Sequence, residues 1–454
     1  MDRPHLFSEV HFRRNASNPN QINWTRYWID CLSSVPWNDI SVTGFEYLAK
    51  KYGLEVFQDS SKPNEVVLSL AGKIILIDIT VPINASPKDI NVVLAFANAS
   101  GEQYNNPVAE KLLKDAIYNC NTPLFEKNVK WLATFDHSSP SVQQSCFQYL
   151  DSLSSSLNAI YEAELSLLAQ EENVIMHGNG KPLSNYEGQL GLRIAYWKLL
   201  DKTYSTQIFM DNLSHDSLPH LLFGYNLLNS PPILQSSKIN WALENTLTPI
   251  PTTMELVFDD INLIIPEQGV KPLLDLLHVH DITIPWPVQN YSHMLGLPSK
   301  STVNYKFINK NQAIQLTGFD VSARSLRRVP FHHPKQIRGI LAIVRQYLLL
   351  QLILENIKSA DLAETAASSS LHLSLYFKEH PIVHAQYQEI NKLNNSEQII
   401  IVLSVLSDGR LNVDYMSSGG KELSKQQSHV FQKLIQQTCN IGLAIEVFIK
   451  KVVN

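Results

Sequence analysis

Cysteine is scarce. The 454 residues hold four, Cys31, Cys120, Cys146 and Cys439, and no two form a CxxC pair. A zinc ribbon and a dithiol redox motif are therefore excluded, and scattered single cysteines fit a reducing compartment, cytosol or nucleus. Charge is sparse as well, at 17% of residues, and has no basic excess: 37 Lys+Arg stand against 42 Asp+Glu, a net charge of −5. A chain that works by gripping a phosphate backbone needs the opposite balance, so direct DNA binding is not expected. No uninterrupted apolar run reaches the ~18 residues of a membrane span. The nearest, GILAIVRQYLLLQLILENIK, is broken by Arg345, Gln346 and Gln351. The N-terminus lacks the apolar core of a signal peptide. These absences predict a soluble chain with no membrane partner.

The motifs of catalysis are missing too. Three Gly-Lys pairs occur, and a P-loop needs G-x-x-x-x-G-K-[ST] so that backbone N–H groups cradle phosphate and a hydroxyl holds magnesium. Gly72-Lys73 has Val67 in place of the first glycine and Ile74 in place of the hydroxyl; Gly180-Lys181 runs into Pro182, and Gly420-Lys421 into Glu422. Gly72-Lys73 therefore reads as a turn between strands. There is no GxSxG. Asp259-Asp260 are adjacent, which on a strand sends them to opposite faces, so a turn or edge position explains them better than a carboxylate pair. His278 and His280, with Asp281 and His293 near, offer a zinc set only in outline, because no HExxH or distant cysteine pair completes it. They remain the basis of an alternative, a metal-dependent enzyme. No cofactor and no metal is expected.

What is present is apolar: 44% of residues, enough for more than one core, in a length of about three domains at ~150 residues each. Residues 1–20 form a polar, disordered tail. A domain of residues 21–177 opens with Trp24, Tyr27, Trp28 and Cys31 at helical spacing, then a helix from Thr43 stopped by Gly53. The strands EVVLSL, KIILIDITV and INVVLAFAN follow. In the second, Ile75, Ile77, Ile79 and Val81 share one face while Asp78 and Thr80 share the other. Two short amphipathic helices come next, then a long one from Ser141 to Glu172. Its Cys146, Leu150, Leu153, Leu157 and Ile160 step by four, three, four and three, either docking on their own domain or forming a seam for another chain. Residues 178–330 read as a β-rich middle domain, and 331–454 as a C-terminal domain of helix, strands and a closing long helix. The fold class is α+β, with N-terminal helices packed on a small antiparallel sheet.

Two stretches could meet partners. The basic run SARSLRRVPFHHPKQIRG carries Arg324, Arg327, Arg328, Lys335 and Arg338, suited to an acidic partner or, as a second alternative, to nucleic acid. The helix seam contributes Leu153 and Leu157. Leu218–Leu222 and Leu273–Leu277 match L-x-x-L-L, a groove-binding signature that buried leucines mimic.

YLAKKYGLEVF, LSLAGKIILIDITV and INVVLAFAN together resemble the N-terminal signature of the Mediator subunit 1 family, through Gly53, Leu54, Phe57, Gly72, Lys73, Ile77 and Asp78. NTPLFEKNVKWLATFD, the helix ending IYEAELSLL, and GNGKPLSNYEGQLGLRIAYW are similar to its next blocks. The resemblance runs from Thr43 to Trp197 and is diffuse beyond. It implies a non-catalytic subunit of the Mediator middle module, located in the nucleus. Such a subunit relays signals from activators to RNA polymerase II and contacts other middle-module subunits, among them subunits 4 and 9. The long receptor-binding tail of animal members has no counterpart here, so receptor binding is not carried over.

Overall fold

The computed structural model describes residues 40–83, 86–97, 103–211, 220–232, 239–279, 286–297, 302–307, 310–358, 361–362, 369–377, 380–389, 398–406, 409–417 and 424–448. The tail expected at 1–20, the aromatic helix expected from Trp24, and His280, Asp281, Leu218 and Gly420-Lys421 lie outside them.

Helix α1 (Val42–Lys51) starts where Ser41 Oγ accepts the Gly44 N–H at 3.1 Å, and Gly53, at φ +73°, turns the chain out of it. Strands Glu55–Asp59 (β1), Glu65–Ala71 (β2), Ile75–Pro82 (β3), Asn91–Ala97 (β4) and Gln103–Asn105 (β5) then form an antiparallel sheet in chain order. The alternation works as the sequence predicts: Ile75, Ile77 and Ile79 are buried, and Asp78 and Thr80 are half-buried on the other face. Helices α2 (Pro107–Tyr118) and α3 (Thr122–Ser138) pack against β4 and β3.

The helix expected from Ser141 to Glu172 is divided. A 3-10 turn, Val142–Gln144, precedes α4 (Cys146–Leu168); Ala169 is left-handed at φ +55°, and α5 (Glu171–His177) follows. The apolar stripe loses its core before the break, since Leu167 and Leu168 are 53% and 40% exposed.

The middle region supplies most of a second five-stranded sheet: Lys181–Ser184 (β6), Leu192–Leu199 (β7), Lys202–Asp211 (β8), Thr253–Val257 (β11) and Arg328–Phe331 (β17), in the order β17-β11-β8-β7-β6. Leu221–Phe223 (β9) pairs Thr248–Ile250 (β10), while Leu263–Pro266 (β12) and Val288–Asn290 (β13) flank Ser322–Leu326 (β16). Helix α6 (Glu267–Leu277) and the short α7 (Tyr291–Met294) lie among them. The third large sheet runs β18-β14-β15-β19-β20-β21-β22, from Thr302–Phe307 (β14), Lys310–Thr317 (β15), Asp361–Leu362 (β18), Ser369–Phe377 (β19), Pro381–Glu389 (β20), Gln398–Val405 (β21) and Leu411–Ser417 (β22). β20 adds a strand in which buried Val383, Ala385 and Tyr387 alternate with half-buried His384 and Gln386.

Two expected boundaries are crossed by the packing. β14 and β15 come from the middle region, yet β15 pairs in parallel with β19 of the C-terminal region. The 330/331 boundary falls inside β17. α3 packs on β8 as well as on β3, and α5 packs on β7, so the N-terminal helices also serve the second sheet.

Helix α8 (Gln336–Lys358) joins these parts, touching β7, β12, β17, β21 and α6. By length and composition its Gln336–Ile357 stretch could cross a membrane, but 78% of its most apolar window is buried inside the protein. The three polar residues that interrupt it bond to other elements. Arg345 donates to the Tyr196 and Ile175 carbonyls at 2.9 and 2.8 Å, and Gln346 donates to the Val405 carbonyl at 2.7 Å. Gln351 accepts from Ile264 N at 2.9 Å and donates to Asn262 O at 3.1 Å. The closing helix is a pair, α9 (Lys425–Thr438) and α10 (Ile441–Phe448). Cys439 at φ +48° ends the first, and Asn440 Oδ1 accepts from Leu443 N at 2.9 Å to start the second.

Candidate functional site

The Gly72-Lys73 turn has the form of an anion cradle, and it is filled from within. Asp136, near the end of α3 and 1% exposed, puts its carboxylate among three consecutive backbone donors. Lys73 N donates to Oδ2 at 2.8 Å; Ile74 N and Ile75 N donate to Oδ1 at 2.7 and 3.1 Å. Charge-assisted bonds of this type are about twice as strong as neutral ones, and they satisfy donors that burial would otherwise strand. A Cβ at residue 72 would fall 2.4 Å from Asp136 Oδ2, which explains the glycine. The lysine side chain caps the same helix, Nζ donating to His137 O at 3.1 Å. The motif is thus a joint between α3 and the first sheet. Asp136 was legible in principle: with Val129 and Leu132 it lies at helical spacing on the apolar face of α3, where a bare carboxylate needs donors.

The same helix clamps the next block. Buried Asn128 donates to Gly188 O at 3.0 Å and accepts from Leu190 N at 2.8 Å. Asp259 ion-pairs Arg193 at 3.3 Å, and Asp260 accepts from Ser205 N at 3.1 Å, so these carboxylates hold the end of β11 against β7 and β8.

The basic run is spread over three elements. Arg324 on β16 donates to Glu267 at 2.8 Å, Arg328 on β17 pairs Glu255 at 3.4 Å, and Lys335 bonds Glu244. Arg327 and Arg338 are exposed and form no ion pair among the described residues. His332 and His333 beside them are buried. His333 Nδ1 accepts from Lys335 N at 3.0 Å, so Nε2 carries the proton donated to Ala242 O at 3.1 Å. Burial pushes His332 down to about 4 and lowers His333 as well.

Leu153 and Leu157 are 0% and 3% exposed, held in the chain's own core, so the docked-helix reading accounts for them. Leu273, Leu274 and Leu277 are likewise buried on α6. The described residues assemble no set of three His, Cys, Asp or Glu able to hold a metal ion, and the His278 ring lies 5.7 Å from that of His332. Cys146 and Cys439 are buried thiols, pushed up by burial to about 11 and about 12, and so unreactive.

Fold and site together define an α+β protein whose motif-like residues serve as internal joints. The family model for Mediator of RNA polymerase II transcription subunit 1 matches residues 28–217 and 235–359, well over half of the chain. A curated protein of that description from Schizosaccharomyces pombe is 99% identical over 454 residues, covering 100% of both chains. The chain belongs to this family. The match reaches through α8, beyond the Trp197 limit of the sequence resemblance.

Proposed function

We propose that the chain is a non-catalytic scaffold subunit of the Mediator middle module in the nucleus, relaying signals from DNA-bound activators or repressors to RNA polymerase II. The observation that carries this is the family match over both of its spans. The filled Gly72-Lys73 cradle supports it, because the backbone donors that a phosphate would need at that turn are used for packing. Other middle-module subunits, with subunits 4 and 9 as the specific candidates, would dock on its surface. Arg327 and Arg338 are the best-placed contacts, since they are exposed and have no ion-pair partner among the described residues. Lys335 would act after exchanging its carboxylate, a step that costs little for an exposed pair, whereas Arg324 and Arg328 are held by the half-buried Glu267 and the buried Glu255.

The test is recovery of the tagged full chain from nuclear extract. Mediator subunits and polymerase should copurify, with crosslinks to subunits 4 and 9. Recovery of the chain alone overturns the reading. Charge reversal of Arg327 and Arg338 together should lower partner recovery without changing the thermal midpoint; unchanged recovery removes the basic run from the interface.

A further inference from the structure

Four aromatic side chains from two strands and two helices meet around a cavity of about 120 Å³. Phe96 on β4 and Tyr104 on β5 are register partners, their rings stacked 5.5 Å apart. Phe96 meets Phe147 of α4 edge-to-face at 4.9 Å, and Phe147 meets Trp131 of α3 in the same manner at 5.8 Å. Trp131 is 7% exposed; its indole N–H has no acceptor among the described residues and lies against Gly191, where a Cβ would come within 2.7 Å.

One charged residue lines this cavity, Asp151. It follows Phe147 by four positions on α4, so both stand on the same face. Asp151 is solvent-exposed at the residue level and forms no ion pair among the described residues. Neighbouring atoms still desolvate its carboxyl enough to raise its proton affinity, and its charge helps to raise the Tyr104 hydroxyl. Several other polar lining atoms are engaged. Asn106 Oδ1 accepts from Ala109 N at 3.1 Å, Asn185 Oδ1 from Gly191 N at 3.2 Å, and Ser154 bonds Ser184 at 3.2 Å. The cavity therefore offers ring surface and one uncompensated negative charge. That combination disfavours anions and suits a cation with alkyl surface.

We propose that this cavity binds the methylated ammonium of a lysine side chain presented by a partner polypeptide. A plain ammonium has three N–H groups to satisfy, and here Asp151 is the one charged acceptor. Dimethylation leaves one N–H for Asp151 and turns two methyl groups toward the rings. This proposal is independent of the scaffold reading, and its failure leaves that reading intact.

The test uses the full chain with ¹⁵N-labelled indoles and three probes: the N-acetyl methylamides of Nε,Nε-dimethyl-lysine, of lysine and of norleucine. The Trp131 indole resonance, identified by its loss in Trp131→Phe, should shift with the dimethyl probe, and that probe should bind about tenfold tighter than either control. Asp151→Asn, at an exposed position, should keep the thermal midpoint and weaken binding about tenfold. Equal binding of the norleucine probe, no response at millimolar concentration, or unchanged affinity in Asp151→Asn would each overturn the proposal.

Discussion

At the residue scale, Asp136 shows how much one side chain can hold. Removing it strands three backbone N–H groups, two of them in a buried setting. With roughly 1–3 kcal/mol for each stranded donor, relieved in part by water at Lys73, Asp136→Ala should lose at least about 3 kcal/mol in urea unfolding. Asp136→Asn retains an acceptor and should lose less; equal losses would mean that the bonds at the turn contribute little. Gly72→Ala should also destabilise, because the added carbon must displace that carboxylate.

His332 makes a second prediction at this scale, with a definite sign. Its folded pKa is about 4 against an ordinary 6.5, chiefly through burial; Glu244 raises it, while His278, His333 and Lys335 lower it. Between those two values the unfolded chain takes up a proton that the folded chain refuses. The histidine therefore leaves stability constant above about pH 6.5 and erodes it as pH falls toward about 4. The urea midpoint should drop across that window, and His332→Gln should flatten the slope, leaving the smaller part due to His333. A slope identical to wild type would refute the assignment.

At the element scale the decisive piece is α8. Its polar residues read from sequence as interruptions of a membrane-length run, and each proves to be a bond to another element. Gln351 bridges α8 to β12 through both its amide groups. Gln351→Leu leaves Ile264 N without its acceptor and should lose about 2 kcal/mol. Amide exchange at Ile264 should accelerate more than exchange in β3; uniform acceleration would show a global effect instead. Gly409 belongs to the same interface. At φ +78° it sits where a Cβ would meet Arg345 and Trp197 at 2.8 and 2.9 Å, so glycine there serves both the backbone and the packing.

At the scale of the whole molecule, the sheets ignore the boundaries that composition suggests. β15 and β19 are hydrogen-bonded neighbours although their first register partners, Gln312 and Ser369, lie 57 positions apart, and α8 touches strands of both the second and the third sheet.

 β15 ends at Thr317 and β19 begins 52 positions later at Ser369, with α8 in the stretch between. A parallel pair of this kind needs a crossover, and α8 is that crossover. The fragments 1–330 and 331–454 should therefore fail to fold separately. Circular dichroism of fragment 331–454 should show no cooperative thermal transition, whereas the full chain should show one. A sharp transition in the isolated fragment would restore the boundary.

The sequence by itself determined the local order. Period-two runs marked three of the five strands of the first sheet, Gly53 stopped the helix expected from Thr43, and the Gly-Lys pairs departed from the P-loop pattern, because these signals act between neighbours a few residues apart. Tertiary structure decided what fills the Gly72 turn, which leucines of α4 are free, and which strands share a sheet. Each of those depends on contacts between residues far apart in the chain, 63 positions for Lys73 and Asp136. Nothing in a local pattern says which distant group will satisfy a buried donor; only the packed chain does.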